Sequence, residues 1–268
     1  MIKTSVNACQ WNSYASWKGT EKDWKTFVRE AAEAGYEGVE LAGHPDKLGP
    51  ADEVVDFVKS LGLEISAFGG GMTVDYHEPA RERNLSELKY MEQLGVDTKM
   101  VCGGFLGPPR RTVIDAEYVE FAEQLAWLCD EAEQHGVSVA FHPHRGSIVE
   151  TGDELEKVLS RVPKLRICVD IAHLEACHQD AMDFIERFSE KIIYTHIKDF
   201  HWGTKSFMEM GQGDSKLDPG ACVKLLIEKG YQGWMVAELD RRWEKTEGMA
   251  SPDPLTAAKV NREYLRAL

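Results

Sequence analysis

Apolar runs of strand length alternate with amphipathic stretches of helix length along the whole chain. The short apolar runs, bounded by turn residues, indicate eight β-strands. In chain order, we predict strands at 2–11, 39–41, 63–68, 99–102, 137–146, 165–170, 192–199 and 234–240. Stretches with apolar residues three and four positions apart indicate helices between them. We predict these helices at 20–34, 51–60, 78–94, 115–135, 151–161, 180–188, 219–229 and 254–267.

Turn and capping residues refine this pattern at three places. Thr20-Glu21-Lys22-Asp23 has the spacing of a capping box and predicts the start of the first helix. Gly69-Gly70-Gly71 predicts a loop after the third strand. The glycine-rich segment 208–214 predicts a mobile loop after the seventh strand, near the site proposed below.

Eight strand–helix units in strict alternation, at about 33 residues each, predict an α/β protein with parallel strands. The expected architecture is a single (β/α)8 TIM barrel over residues 1–268, with its active site at the C-terminal ends of the strands. An open, doubly wound sheet is the rival. That fold usually carries a glycine-rich phosphate-binding turn after its first strand, and Asn7–Trp11 contains no glycine.

Charge narrows the range of partners. The chain has a formal net charge of -14, and its longest basic runs are the pairs Arg110-Arg111 and Arg241-Arg242. A surface that binds phosphates needs clustered Lys and Arg, so nucleic acid and anionic membranes are not expected partners.

Cysteine usage and the N-terminal sequence indicate a compartment. The six cysteines form no C-x-x-C pair, and several lie in apolar runs, as expected for free thiols in a reducing environment. The first residues lack the apolar stretch of a signal peptide, and no apolar run approaches the roughly 20 residues of a membrane span. We therefore expect a cytoplasmic protein.

Four consecutive predicted strands, the fifth to the eighth, end in potential metal ligands: His142, Asp170, His196 and Glu238. A single His or Asp at a strand end is more often a hydrogen-bonding loop residue, but four in succession at the same end of a barrel predict one metal site. Two imidazoles and two carboxylates favour Mn²⁺, Fe²⁺, Co²⁺ or Zn²⁺ over Ca²⁺. Such a metal polarises a carbonyl and stabilises the enediolate formed when a neighbouring C–H is deprotonated.

Further polar residues lie close to these ligands in sequence. His144 and Lys198 follow His142 and His196 by two positions, and on a strand they would face the same side. His173 lies one short turn beyond Asp170. We predict that His144, His173 and Lys198 transfer protons or orient substrate oxygens. Support of the ligands is the alternative for both histidines, and pairing with a loop carboxylate is the alternative for Lys198.

The remaining candidates would line a polyol pocket. Glu40 ends the second predicted strand and would face the pocket, or else form an interior salt bridge. Aromatic residues at predicted strand ends and loops would wall the pocket, with ordinary packing as the alternative. They are Trp11, Phe68, Phe105 and Trp202. Asp199 is expected to support a loop.

Several motifs carry a family resemblance: Asp170-x-x-His173, His196-Ile197-Lys198-Asp199, Gly211-x-Gly213-Asp214 and Gly233-Trp234-x-Val236-x-Glu238. With them the chain resembles, over nearly its whole length, the xylose-isomerase-like superfamily of barrel sugar isomerases and epimerases. The stretch 141–151 is most similar to the histidine-rich fifth-strand motif of the inosose dehydratase branch. Residues 262–265 also fit the last helix of the superfamily.

The resemblance implies a divalent metal, most often Mn²⁺ or Co²⁺, and a keto-polyol or keto-sugar substrate. His142 stands where most of the superfamily carries a glutamate, which leaves open whether His142 or His144 is the fifth-strand ligand. We predict a lyase that dehydrates its substrate after removing an α-proton. A ketose isomerase or 3-epimerase is the first alternative, and elimination of an aglycone from a keto-glycoside is the second. By analogy with related barrels, a homodimer or homotetramer is expected.

Two other classes are disfavoured. Phosphodiester hydrolysis, as in the related apurinic endonucleases, would need more metal ligands and a basic surface that faces DNA. A non-catalytic sugar-binding barrel would have no need of ligands on four strands.

Overall fold

The computed structural model describes residues 3–73, 78–107 and 109–268. Within these ranges it contains ten strands: β1 Thr4–Asn7, β2 Gly38–Ala42, β3 Glu64–Met72, β4 Thr98–Gly103, β5 Ser138–Phe141, β6 Arg166–Asp170, β7 Ile192–His196, β8 Asp199–His201, β9 Ser206–Met208 and β10 Met235–Ala237. The same ranges contain twelve α-helices: α1 Cys9–Lys18, α2 Trp24–Glu33, α3 Pro45–Leu48, α4 Ala51–Ser60, α5 Glu78–Leu94, α6 Asp115–Gln134, α7 Gly152–Leu159, α8 Ile171–Ala176, α9 Ala181–Phe188, α10 Pro219–Glu228, α11 Trp243–Thr246 and α12 Pro254–Arg266.

Eight of the strands form one parallel sheet in the order β10-β1-β2-β3-β4-β5-β6-β7. The two outer strands of that order also meet, because Ile197 follows β7 and bridges Ala237 in β10. The Ile197 N–H donates to the carbonyl of Val236 at 2.7 Å, and the Glu238 N–H donates to the carbonyl of Ile197 at 3.3 Å. The sheet is thereby closed, and the predicted (β/α)8 TIM barrel is confirmed.

Two apolar layers hold the barrel together. Side chains from six of the barrel strands fill its interior, among them Met100, Cys168 and Tyr194. The larger layer lies between the strands and the surrounding helices. This arrangement is typical of the fold, in which the barrel is a packed core and the site lies above it. None of the helices in the described ranges combines the length and the apolar run that crossing a bilayer requires.

The first strand is shorter than predicted. β1 ends at Asn7, and Cys9, Gln10 and Trp11 lie in helix α1, so the prediction of a strand over 2–11 is wrong in its second half. Ile2, where that predicted strand begins, lies outside the described residues. The side chain of Asn7 explains the early end, because its Oδ1 accepts the Cys9 N–H at 2.6 Å and turns the chain.

The predicted capping box at Thr20 is also wrong. Helix α2 begins at Trp24, and its cap is Asp23, whose carboxylate accepts the Lys25 and Thr26 N–H groups. Asp is among the best N-capping residues, and it lies directly beside the amphipathic run. Thr20 lies four residues before the helix begins.

The glycines at 69–71 do not form a loop. They lie within β3 and pair with β4 from Gly69↔Met100 to Gly71↔Cys102. Gly70 is required by close packing, because a Cβ there would lie 2.8 Å from Glu87 Oε2 and 2.9 Å from Lys99 Nζ. Glycine inside a strand often marks such an approach, and here it makes room for a buried ion pair between α5 and β4.

The chain after β7 is structured. Strands β8 and β9 form an antiparallel hairpin, and the turn that follows is attached to Asp199. Asp199 Oδ2 accepts the N–H groups of Gly211 at 3.0 Å and Gly213 at 3.1 Å. Asp199 therefore supports this loop, as expected. All six cysteines, which lie in the described ranges, are free thiols.

Candidate active site

The four predicted metal ligands lie at the C-terminal ends of adjacent strands. His142 directly follows β5, Asp170 ends β6, His196 ends β7, and Glu238 directly follows β10. All four are buried. Because parallel strands deliver their ends to one rim of the barrel, these side chains meet there.

Asp170 has both of its oxygens engaged. Oδ1 accepts the N–H groups of Ala172 at 3.0 Å and His173 at 2.9 Å, which caps the short helix α8. Oδ2 lies 3.2 Å from His142 Nε2 and also bonds to Lys198. Burial raises the pKa of Asp170, but the charges of Lys198 and the histidines outweigh it and lower that pKa below its ordinary value. Asp170 is therefore a fixed anion.

Lys198 lies at the centre of three carboxylates. Its Nζ bonds Asp170 Oδ2, donates to Glu238 Oε2 at 2.5 Å, and lies 3.3 Å from Asp240 Oδ1. Its side chain has no exposed surface. Burial alone would lower the pKa of Lys198, but these three anions raise it well above its usual value, so the ammonium stays charged.

His196 is oriented by Glu40. Its Nε2 lies 2.7 Å from Glu40 Oε2, and Glu40 Oε1 accepts the Asn7 side-chain N–H at 2.6 Å. The side chains of Glu40 and His196 are both fully buried, so Glu40 does not line a pocket. The predicted substrate contact is replaced by its alternative, an interior pair. Because a carboxylate oxygen accepts, Nε2 of His196 carries a proton and donates it to Glu40. Nδ1 lies 3.2 Å from Glu238 Oε2.

The donor set fits a divalent cation. Ligand atoms of His142, Asp170, His173 and Glu238 all lie within 4.8 Å of one another. The structure thus groups His173 rather than His196 with the other three. However, Nδ1 of His196 is buried without a hydrogen-bond partner, and a histidine that donates its other N–H to a carboxylate is the usual arrangement of a metal ligand.

His144 and His173 lie side by side, with ring centres 3.7 Å apart. The backbone of Arg145 contacts both rings and gives them different tautomers. Nδ1 of His144 donates to the carbonyl oxygen of Arg145 at 2.8 Å, so its Nε2 is the basic nitrogen. Nδ1 of His173 accepts the Arg145 N–H at 3.4 Å, so its proton is on Nε2.

Both rings are held neutral. Burial, followed by the neighbouring His173 and His142, lowers the pKa of His144 to about 3. Burial and the charge of Lys198 lower the pKa of His173 as well. A neutral imidazole with a free lone pair is a proton acceptor at neutral pH, which suits His144 to the role of a base.

The sequence interpretation missed Asp240. It lies two residues beyond Glu238, with Oδ1 3.3 Å from Lys198 Nζ and Oδ2 3.5 Å from His173 Nε2. Burial raises the pKa of Asp240, but Lys198 and His173 lower it below its ordinary value. The two-residue spacing that identified His144 after His142 would also have identified Asp240 after Glu238.

A cavity of about 580 Å³ opens above these groups, and we call it the mouth cavity. His144, His173 and Asp240 line it, together with the half-exposed Phe105, whose ring meets His144 edge-on at 4.9 Å. Its volume is in the range of small-molecule sites. The groups suited to proton transfer therefore face the space that a small substrate would occupy.

The other predicted aromatic residues lie elsewhere. Trp11 packs on Phe27 in a separate cavity, because helix α1 carries it away from the strand ends. Phe68 is fully buried against Tyr90 beneath α5. Trp202 donates to Glu175 beside helix α8 and lines a third cavity. None of the three lines the mouth cavity, so the structure contradicts their predicted position in its wall. The aromatic residues that line it are Phe105, as predicted, and Phe207.

Comparison with known proteins gives the same family as the motifs. A family model described as the xylose isomerase-like TIM barrel matches residues 28–268. The rhizopine catabolism protein MocC of Rhizobium meliloti is 27% identical over 293 residues, covering 98% of this chain and 87% of MocC. An inosose dehydratase of Mesomycoplasma hyopneumoniae is 26% identical, covering 100% of this chain and 96% of that protein.

A solved structure of the IolI protein with a bound zinc atom has the same fold. Its TM-score is 0.78 at 17% identity, with 99% of this chain and 97% of that chain covered. The relatives include the inosose dehydratase named above, which is an enzyme. The prediction that the chain is an enzyme is therefore confirmed.

Proposed function

Because the chain belongs to the xylose isomerase-like TIM barrel family, we propose that it is a divalent-metal-dependent dehydratase of a keto-polyol or keto-sugar. One observation carries the proposal: the four buried strand-end ligands lie next to two neutral imidazoles of opposite tautomer, His144 and His173, that line one small-molecule cavity. The inosose dehydratase and the zinc-bound IolI structure support it. We expect the substrate to be a small carbohydrate derivative.

The proposed metal ligands are His142, Asp170, His196 and Glu238. A divalent cation in this set, for which Mn²⁺ is our first choice, would supply a Lewis acid that polarises the substrate carbonyl. Two residues prepare the set: Glu40 holds the His196 ring, and Lys198 balances the two carboxylates. The Asp170 carboxylate is held in place by the backbone of α8.

His144 is the proposed base. Its Nε2 takes the proton from the carbon next to the ketone, and the electron pair of that C–H bond moves towards the carbonyl oxygen to give an enediolate. The carbonyl of Arg145 keeps the other nitrogen protonated, so the ring cannot rotate its basic nitrogen away without losing that bond. Positioned general bases of this kind typically contribute factors of about 10²–10⁴ to the rate.

Loss of water completes the proposed reaction. The oxygen's electron pair re-forms the carbonyl, and the pair of the enediolate double bond forms a new double bond between the α- and β-carbons. The bond from the β-carbon to its hydroxyl breaks, and the His144 imidazolium gives its proton to that hydroxyl, which leaves as water. We propose that His173, whose Nε2 lies 3.5 Å from Asp240 Oδ2, orients a substrate oxygen. Lys198, fully charged and buried, supplies a fixed positive charge beside the site.

The second candidate is an isomerase or 3-epimerase. It is supported by the same pair of imidazoles, His144 and His173, at one cavity. In that reaction, the proton returns to carbon and no water is lost. Elimination of an aglycone from a keto-glycoside would differ only in the leaving group.

The test is a product analysis. The purified protein, loaded with Mn²⁺, is incubated in D₂O with a panel of inososes, ketoses and 3-keto-glucosides, and the products are examined by mass spectrometry. The proposal expects loss of water from one class of keto-polyol and none in His144→Gln. Deuterium uptake without loss of water would establish the isomerase instead, and absence of both deuterium uptake and product would overturn the proposal.

A further inference from the structure

Four exposed basic side chains line the mouth cavity: Arg145, Lys205, Arg242 and Lys245. Within the described ranges, none of the four forms an ion pair with a carboxylate. The two carboxylates that line the cavity have other partners. Asp240 is engaged with Lys198 and His173, and Glu150 lies 3.4 Å from Arg110. The rim of the cavity therefore carries uncompensated positive charge.

This charge contrasts with the rest of the chain. The protein has 45 acidic residues against 31 Lys and Arg, so a random arrangement would surround each cation with anions. Several surface cations follow that expectation. Lys164 contacts both Asp130 and Glu133, and Arg187 contacts two further carboxylates. Four unpaired cations around one cavity of an acidic protein indicate a site for an anion.

The rim is built on a fixed framework. Arg241 is buried, donates twice to Glu209, and stacks on Trp243 with its guanidinium 3.6 Å from the ring centre. This anchor points the next residue, Arg242, away from the core and precedes the short helix that carries Lys245. Little ordering is then required when a ligand binds, which favours affinity.

A second attachment holds two of the cations close to each other. The N–H of Arg242 donates to Ser206 Oγ at 3.2 Å, and Ser206 directly follows Lys205. Lys205 has φ of 52°, a left-handed conformation that is uncommon for residues other than Gly, Asn and Asp. The hairpin turn thus has a lysine where a turn-forming residue would be expected, directly before the residue that binds the Arg242 N–H.

We propose that this rim binds an anionic group, a carboxylate or a phosphate, on the substrate itself. The inference rests on the proposed function for the polyol character of the ligand. It narrows the substrate to an acidic or phosphorylated keto-polyol, whose neutral hydroxyketone end lies against His144 and whose anionic end lies against Lys205 and Arg242. A guanidinium binds either anion through two parallel hydrogen bonds.

The experiment compares three six-carbon polyols that differ at one end: sorbitol, D-gluconate and sorbitol 6-phosphate. Their dissociation constants are measured by calorimetry on the Mn²⁺-loaded full-length protein at fixed ionic strength. The test variant is Lys205→Asn with Arg242→Gln, because Asn tolerates positive φ. The matched control is Lys89→Asn with Lys224→Gln, which removes the same charge from exposed positions on α5 and α10.

We expect wild type and control to bind at least one anionic polyol about tenfold or more tightly than sorbitol, as charge-assisted hydrogen bonds allow. The test variant should lose that preference while its weak affinity for sorbitol is unchanged. Preference for gluconate identifies a carboxylate, and preference for sorbitol 6-phosphate identifies a phosphate. Equal binding of all three polyols, absence of binding, or an equal loss in the control variant would overturn the proposal.

Turnover of keto-polyols by the same preparation separates this inference from the proposed function. Anion preference without turnover would leave the rim site standing and remove the proposed reaction. Turnover of neutral keto-polyols without anion preference would support the proposed reaction and remove the rim site.

Discussion

His144 and His173 lie with ring centres 3.7 Å apart and ring planes tilted by 39°, and the peptide unit of Arg145 gives them opposite tautomers. One ring thereby offers a lone pair on Nε2, and the other offers an N–H. Because both rings are kept neutral by burial, neither repels the other until a proton arrives. The pair is suited to take one proton from a substrate and to orient an oxygen at the same time.

His144→Gln should lower kcat about 10²–10⁴-fold, because Gln has no basic nitrogen to accept the α-proton. Metal content should stay at the wild-type level, which distinguishes a base from a ligand. His135→Gln, at the end of α6 where His135 pairs with Glu92, is the control and should leave kcat unchanged. Loss of metal in His144→Gln would show instead that His144 is the fifth-strand ligand.

Glu40→Gln should weaken metal binding about 10–100-fold, because the amide no longer holds the His196 ring as a carboxylate does. Metal titration of the purified variant measures the effect. Glu87→Gln is the matched control, since Glu87 is also buried and paired, with Lys99 in place of a histidine. If both variants bind metal as wild type does, His196 is not a ligand oriented by Glu40.

Lys198→Met should destabilise the metal-free protein by about 3–5 kcal/mol, because three carboxylates would be left without their buried cation. The free energy of unfolding is measured in urea with chelator and with excess Mn²⁺. Added metal should recover more stability in this variant than in wild type. The control Lys99→Met also removes a buried lysine, but one that pairs with Glu87. Added metal should not restore the stability of this control, so equal recovery of stability in both variants would contradict the assignment.

Glu154 should make folding stability depend on pH. Burial raises its pKa, but the Glu150 N–H, Arg110 and Tyr118 outweigh burial and lower it. A depressed carboxyl pKa contributes stability above the unfolded value, about 4.3, and loses it as pH falls through the folded value.

The stability difference between wild type and Glu154→Gln should therefore be largest near neutral pH and shrink on acidification below about pH 4. Urea denaturation across this pH range measures it. The exposed Glu120→Gln on α6 serves as the control. A difference that does not change with pH would mean that the charge of Glu154 contributes nothing.

The barrel and the meeting of its strand ends were predictable, because apolar strands separated by helices leave few parallel arrangements. His142, Asp170, His196 and Glu238 lie where that reasoning places them. Side chains that depend on local turns were not predictable. The sequence pattern predicts a strand at Trp11, but the Asn7 side chain ends β1 and the chain continues into helix α1.

Tertiary contacts explain the other differences. The glycines at 69–71 look like a loop in sequence, and only the buried pair of Glu87 and Lys99 shows why the strand has glycine at position 70. Glu40 appears at a strand end like a pocket residue, but its neighbour across the barrel, His196, takes its carboxylate inward. Sequence patterns give the face of a strand and not the partner on that face.

The central claim is that His142, Asp170, His196 and Glu238 hold a divalent metal, and elemental analysis tests it most directly. Wild type, His142→Ala, Glu238→Ala and His144→Ala would be purified and analysed for Mn, Fe, Co and Zn. We expect near-stoichiometric metal in wild type and His144→Ala, and its loss in His142→Ala and Glu238→Ala. Metal retained in His142→Ala, or no metal in wild type under any loading condition, would contradict it.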